Sequence, residues 1–143
     1  VNLKSYLYAA VLTGLSTMAQ AAETGTLTLA CKGTTVGGYE GAKPDPLSMG
    51  LIFNFTAGTV RGFDAPGGLL AELPVKITGI NEVTVAFGGN DTPLVGQQRS
   101  MSGTIDRVTG EVEATETLMD TKAGKTFSST SYSLKCRPAQ RMF

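Results

Sequence analysis

From residue 24 to residue 136 apolar and polar positions alternate with a period of two, and turn residues interrupt the alternation at short spacing. Leu47, Met49, Leu51, Phe53 and Phe55 step by two, as do Leu73, Val75 and Ile77, and then Val83, Val85 and Phe87. Successive side chains of a strand leave opposite faces, so this is the pattern of strands with one face in a core and the other in water. No stretch after residue 21 keeps a helical period for three turns. The spacing predicts eight strands, near Thr24–Cys31, Leu47–Thr56, Thr59–Phe63, Leu73–Ile80, Glu82–Phe87, Arg99–Asp106, Glu111–Leu118 and Thr126–Cys136. Gly58, Asn81, Gly110 and Gly124 fall between strands, where tight hairpins favour residues that tolerate positive φ. The fold class implied is all-β: an antiparallel eight-stranded barrel or sandwich, mostly meander. Two connections are longer, Lys32–Pro46 and Gly88–Gln98, and binding residues tend to sit on such loops.

Residues 1–21 depart from this pattern. Lys4 precedes an apolar run from Tyr6 to Leu15, and Ala19-Gln20-Ala21 has the small-x-small form that signal peptidase accepts. The run is about half the roughly 20 apolar residues needed to span a bilayer. The expectation is a signal peptide cleaved after Ala21, leaving residues 22–143 as a single all-β domain in the periplasm or outside the cell. No membrane span is expected in that mature chain, and Ala22 stands where a lipoprotein would have Cys.

Cys31 and Cys136 are the only cysteines, and in an oxidising compartment they are expected to pair. Leu27, Leu29 and Cys31 share one strand face, and Tyr132, Leu134 and Cys136 share another, so both thiols point toward an apolar interior. In a pure eight-strand meander the last strand runs opposite to the first, so their C-terminal ends lie at opposite ends of the sheet, whereas a disulfide needs Cα atoms within about 7 Å. Cys31 meets Cys136 only if a connection crosses over or the strand count is odd. The Lys32–Pro46 connection is therefore expected to cross over, so that the first strand makes no tight hairpin with the second.

Charge and composition narrow the function. Lys and Arg number 12 and Asp and Glu number 12, so there is no basic field for nucleic acid and no acidic block for a cationic partner. Histidine is absent, which excludes Ser-His-Asp and Cys-His catalysis and His-ligated zinc. The sequence assigns no catalytic residue, metal ligand or cofactor.

Three places carry candidate chemistry. In Ile105–Glu111, Asp106 is suited to accept turn amides and Gly110 to take positive φ, with Arg107 solvated, paired with Glu111, or presented as a surface contact. Glu111 and Glu113 share an outer strand face, roughly 7 Å apart. Glu116 falls on the apolar side with Val112, Ala114 and Leu118, where a carboxylate needs a partner unless a bulge after Ala114 returns it to solvent. The last strand carries Ser128, Ser129, Thr130, Ser131 and Ser133, either as a solvated face or as hydroxyls lining a ligand site beside Tyr132.

The pieces Thr28-Leu29-Ala30-Cys31-Lys32-Gly33, Ile105–Glu111 and Ser133–Arg141 together resemble small exported bacterial β-proteins of unassigned function with an I-D-R-V-T-G-E turn. The resemblance spans most of the chain after residue 21. It implies export and a β fold, and it brings no activity.

The functional expectation is a non-enzymatic binding or interaction module of the cell envelope or exterior. Its contacts would lie on the longer loops, through Tyr39, Glu40, Lys43 and Asp45 in one and Asn90, Asp91 and Gln97 in the other. The alternative is a calyx that holds a small ligand, with Glu116, Tyr132 and Arg107 as candidate ligand contacts; a carboxylate-based enzyme ranks third. Interior volume separates the first two. Inward positions filled by Phe53, Phe55, Phe87 and Leu134 leave no room, whereas a cavity of roughly 300 Å³ or more favours a ligand.

Overall fold

Each predicted strand forms, and the eight close in chain order. The structure is a computed structural model and describes residues 25–38, 42–64 and 73–139. The strands are β1 (Thr26–Gly37), β2 (Asp45–Asn54), β3 (Thr59–Phe63), β4 (Val75–Ile80), β5 (Thr84–Asp91), β6 (Gln97–Asp106), β7 (Glu111–Asp120) and β8 (Lys125–Pro138). Every neighbouring pair is antiparallel, and β1 pairs with β8 to complete a closed barrel, so no strand is left with an open edge. The expected signal peptide, together with Tyr39 and Glu40, lies outside the described residues.

The expected crossover does not occur. β1 pairs directly with β2 from Thr26↔Asn54 to Thr35↔Asp45. The expectation failed because β1 continues six residues past Cys31. Cys31 therefore lies in the first half of its strand, next to the C-terminal part of antiparallel β8, and Cys31↔Cys136 is a direct cross-strand pair. The two form a disulfide with Cα atoms 4.0 Å apart. The Cys136 amide donates to the Gly110 carbonyl on the side away from β1, as befits a non-hydrogen-bonded β1–β8 pair, the closer of the two antiparallel spacings.

Both longer connections shrink for the same reason. Much of Lys32–Pro46 belongs to β1 and β2, and most of Gly88–Gln98 to β5 and β6. Asp45, Asn90, Asp91 and Gln97 are therefore strand residues, and only Lys43 of the described loop candidates lies in a connection.

The short turns share one chemistry. Asn54, Asp106 and Asp120 each precede a glycine by four positions. Their side-chain oxygens accept amides inside the turn, from Ala57, from Val108 and Thr109, and from Lys122 and Ala123. The matching glycines, Gly58, Gly110 and Gly124, all have positive φ, the arrangement of a tight turn closed by a left-handed residue. At Gly110 the requirement is doubled, because φ is 75° and a Cβ would collide with the Cys136 carbonyl oxygen. Asn81 also sits in a turn, where its side chain accepts the Val83 and Thr84 amides. Val83, expected in the core, belongs to that turn and is 48% exposed.

Inside the barrel the period-two faces meet. Phe53, Leu51, Val60, Val85 and Val112 are almost wholly buried. Phe87 packs edge-on to Phe53 at 5.9 Å. It occupies space left by Gly103, where a Cβ would stand 2.6 Å from the ring and 2.7 Å from the Ala114 methyl. The β7–β8 register shift lies at Leu118/Met119. The alternative of a bulge after Ala114 is thereby corrected, and Glu116 keeps its inward parity.

Candidate functional site

The barrel has two unlike ends. One carries the β2–β3, β4–β5 and β6–β7 turns with the start of β1 and the end of β8; the other carries the remaining connections.

At the first end a half-open cavity of about 460 Å³ enters the barrel. Leu27 and Leu29 of β1, Phe53 of β2, Val85 of β5 and Ile105 of β6 form its apolar wall, and Phe55 of the β2–β3 turn joins them. Phe53 and Phe55 stack at 6.3 Å. Deeper in, among Met49, Phe87, Met101 and Leu134, the remaining space is about 10 Å³, too little for more than about one water molecule. Phe87 and Leu134 thus fill the middle, while Phe53 belongs to the wall of the cavity. Phe55, in contrast, is only partly buried and lines the opening.

One rim of the cavity is the turn from Asp106 to Gly110. Asp106 accepts the Val108 and Thr109 amides at 2.8 and 2.7 Å. The Thr109 and then the Val108 amide hold its carboxyl below the ordinary value of 3.8, because both stabilise the anion. The Arg107 amide donates to the Val83 carbonyl at 2.6 Å and its guanidinium to the Asn81 carbonyl at 2.8 Å. Arg107 therefore ties the β6–β7 turn to the β4–β5 turn. Glu111, its alternative partner, takes Lys135 at 3.2 Å. Val108 projects from the same rim, 78% exposed.

Polar residues enter the interior at the opposite end. The Tyr132 hydroxyl donates to a Glu116 carboxylate oxygen at 3.0 Å, which answers the requirement for a partner raised by the inward parity of Glu116. Burial, and then the neighbouring Glu116 charge, push the Tyr132 phenol above its ordinary value. Arg99 makes a two-pronged ion pair with Asp91, at 3.0 and 2.6 Å. Thr35 pairs across to Tyr132 in register, and its buried hydroxyl oxygen has no hydrogen-bond partner among the described residues.

The structure therefore divides the candidates. Glu116 and Tyr132 meet at one end, where Lys43, Asp45, Asn90, Asp91 and Gln97 also lie, while Arg107 stands at the other. Asp91 is committed to Arg99, and Asn90 is exposed. Ser133 donates to Glu113 on the outer face, while Ser128 and Ser131 are exposed. Among the described residues no group of three or more acidic or cysteine side chains is arranged to hold a metal ion. No protein-family model matches the chain, and no curated protein or solved structure is significantly similar to it.

Sequence reasoning missed two features. Alternation places Leu27, Leu29, Phe53, Phe55 and Val85 of the cavity wall on inward faces, because it marks which residues face inward but not whether a neighbour fills the space beside them. The sequence pattern does not single out Lys32, Lys135 and Arg137, although each adjoins a cysteine in the chain; the β1–β8 register brings them together.

Proposed function

We propose that this protein is a non-enzymatic binding protein of the cell envelope or exterior that holds a small, largely apolar molecule in the cavity at the turn-bearing end of its barrel. The observation that carries this reading is a half-open space of about 460 Å³, walled by Leu27, Leu29, Phe53, Phe55, Val85 and Ile105, above a barrel centre that keeps only about 10 Å³ free among Met49, Phe87, Met101 and Leu134. Its volume falls within the range of roughly 300–1,000 Å³ usual for small-molecule sites, and exposed apolar concavity is costly to leave in water. The plugged centre limits the ligand to the mouth. The Cys31–Cys136 bond suits an oxidising compartment, in keeping with export. Contact through the longer loops is the weaker reading, since Asp45, Asn90, Asp91 and Gln97 belong to strands and Asp91 is held by Arg99.

The test is titration with the neutral fluorophore N-phenyl-1-naphthylamine, whose emission rises in apolar surroundings. Saturable enhancement is expected from the native chain. Leu27→Trp, which places an indole in the opening, is expected to abolish it without altering the far-ultraviolet circular dichroism spectrum. Absence of saturable binding in the native chain overturns the reading.

A further inference from the structure

The wall of the barrel beside the cavity carries a concentration of positive charge. On the outer faces of β1 and β8, Lys32 stands directly opposite Lys135, and Ala30 directly opposite Arg137. These residues, with Ser48, line a shallow groove of about 350 Å³ that reaches Cys31. Arg137 lines both this groove and the apolar cavity, so the two spaces share a border.

Like charges placed directly opposite on a sheet are destabilising, and here three cations crowd two neighbouring strands. Glu111 pairs with Lys135 at 3.2 Å, with both side chains 61% exposed, which screens that pair heavily. Among the described residues neither Lys32 nor Arg137 makes an ion pair. Asp106, on the rim of the cavity and within electrostatic reach of Lys135, offsets part of this charge, and the remaining excess from Lys32 and Arg137 faces water at the edge of an apolar opening in a chain whose formal charge is zero.

We infer that the cavity's ligand is a free anionic amphiphile, an apolar chain or ring in the mouth ending in a carboxylate, sulfate or phosphate that meets Arg137 at the border and the Lys32–Lys135 pair beyond it. This rests on the binding reading above and adds the chemistry of the ligand's polar end. An anion there relieves the repulsion between the cations, while its tail covers the exposed apolar wall. Neither a neutral apolar molecule nor a simple anion obtains both gains.

Laurate and dodecanol share a tail and differ in charge, so calorimetric titration of each into the full, disulfide-closed chain separates the two claims. Laurate is expected to bind about tenfold tighter than dodecanol at low salt, as one charge-assisted contact permits, and the advantage is expected to shrink as salt screens the charges. Arg137→Gln and Lys32→Gln, both at exposed positions, are each expected to narrow the ratio severalfold. Lys76→Gln, on distant β4, is expected to leave it unchanged. Equal binding of laurate and dodecanol overturns this inference and leaves the cavity reading standing, whereas binding of neither overturns both. A laurate preference insensitive to salt and to both substitutions removes the assignment to these cations. Binding to phosphatidylglycerol vesicles without binding of monomeric laurate transfers the patch to a membrane surface and overturns the proposal.

Discussion

Glu116 and Tyr132 show how a polar pair is tolerated inside a small barrel. Tyr132 is buried and its hydroxyl donates to the Glu116 carboxylate at 3.0 Å, so the phenol gains a partner that its neutral form alone can use. Burial and the adjacent negative charge both oppose ionisation, and the folded-state pKa lies above the ordinary value of 10.0. The folded protein therefore retains this proton at a pH where the unfolded chain releases it. The contribution to stability is complete below the ordinary value and declines as pH rises above it toward the folded-state pKa. Spectrophotometric titration of the folded protein is expected to show one tyrosine that stays protonated beyond the ordinary range, and Tyr132→Phe to remove it and flatten the alkaline loss of stability. A Tyr132→Phe protein with an unchanged alkaline profile would contradict the pairing. Asp106 behaves in the opposite sense. Its pKa is lowered by the Thr109 and Val108 amides, so its contribution is present above the ordinary value of 3.8 and is lost as pH falls through the folded-state value. The inward direction of Glu116 was legible from parity alone, but the identity of its partner was not. Tyr132 lies 16 residues away, and only the β7–β8 register brings it within reach.

Among the elements, the seams of the barrel are unequal. β1 and β2 pair over ten positions and β6 and β7 over nine, whereas among the described residues β3 and β4 pair through Thr59↔Lys76 and Val60↔Val75 alone. Local opening is easiest where the fewest hydrogen bonds and packed side chains must be lost together. Native-state hydrogen exchange is expected to find the amides of β3 and β4 exchanging first among the strands, and those shared by β7 and β8 last. Uniform exchange across all eight strands would refute this order. Four connecting turns were readable at this scale from Gly58, Asn81, Gly110 and Gly124, because these residue types tolerate positive φ, whereas the amide-accepting roles of Asn54 and Asp120 came from the structure. Strand lengths were less readable. Thr34, Thr35 and Val36 extend β1, and Gly88, Gly89 and Asn90 extend β5, yet Gly, Thr and Asn also populate loops, and only pairing with a neighbouring strand decides between the two.

For the molecule as a whole, the disulfide fastens a closure that backbone hydrogen bonds already make. It joins positions 105 residues apart, while β1 and β8 are paired in register at nine positions from Leu29↔Pro138 to Gly37↔Thr130. The double substitution Cys31→Ser, Cys136→Ser is therefore expected to keep the barrel and lose about 2–5 kcal/mol of stability, the usual consequence of removing such a bond from a small domain. Denaturant unfolding of the two forms measures the difference. Complete unfolding of the substituted chain in the absence of denaturant would show that the strand pairing cannot hold the closure unaided.

Hydrophobic alternation, turn residues and the matching parity of the two cysteines specified eight strands, their core faces and a covalent tie between the first and the last. These properties depend on neighbours a few residues apart or on a single chemical pairing. The placement of Glu116 beside Tyr132, the gathering of Lys32, Lys135 and Arg137, and the open space beside Leu27 and Phe55 required the closed barrel. They depend on register across nonadjacent segments and on how side-chain volumes add up inside a closed wall, and no local pattern encodes either.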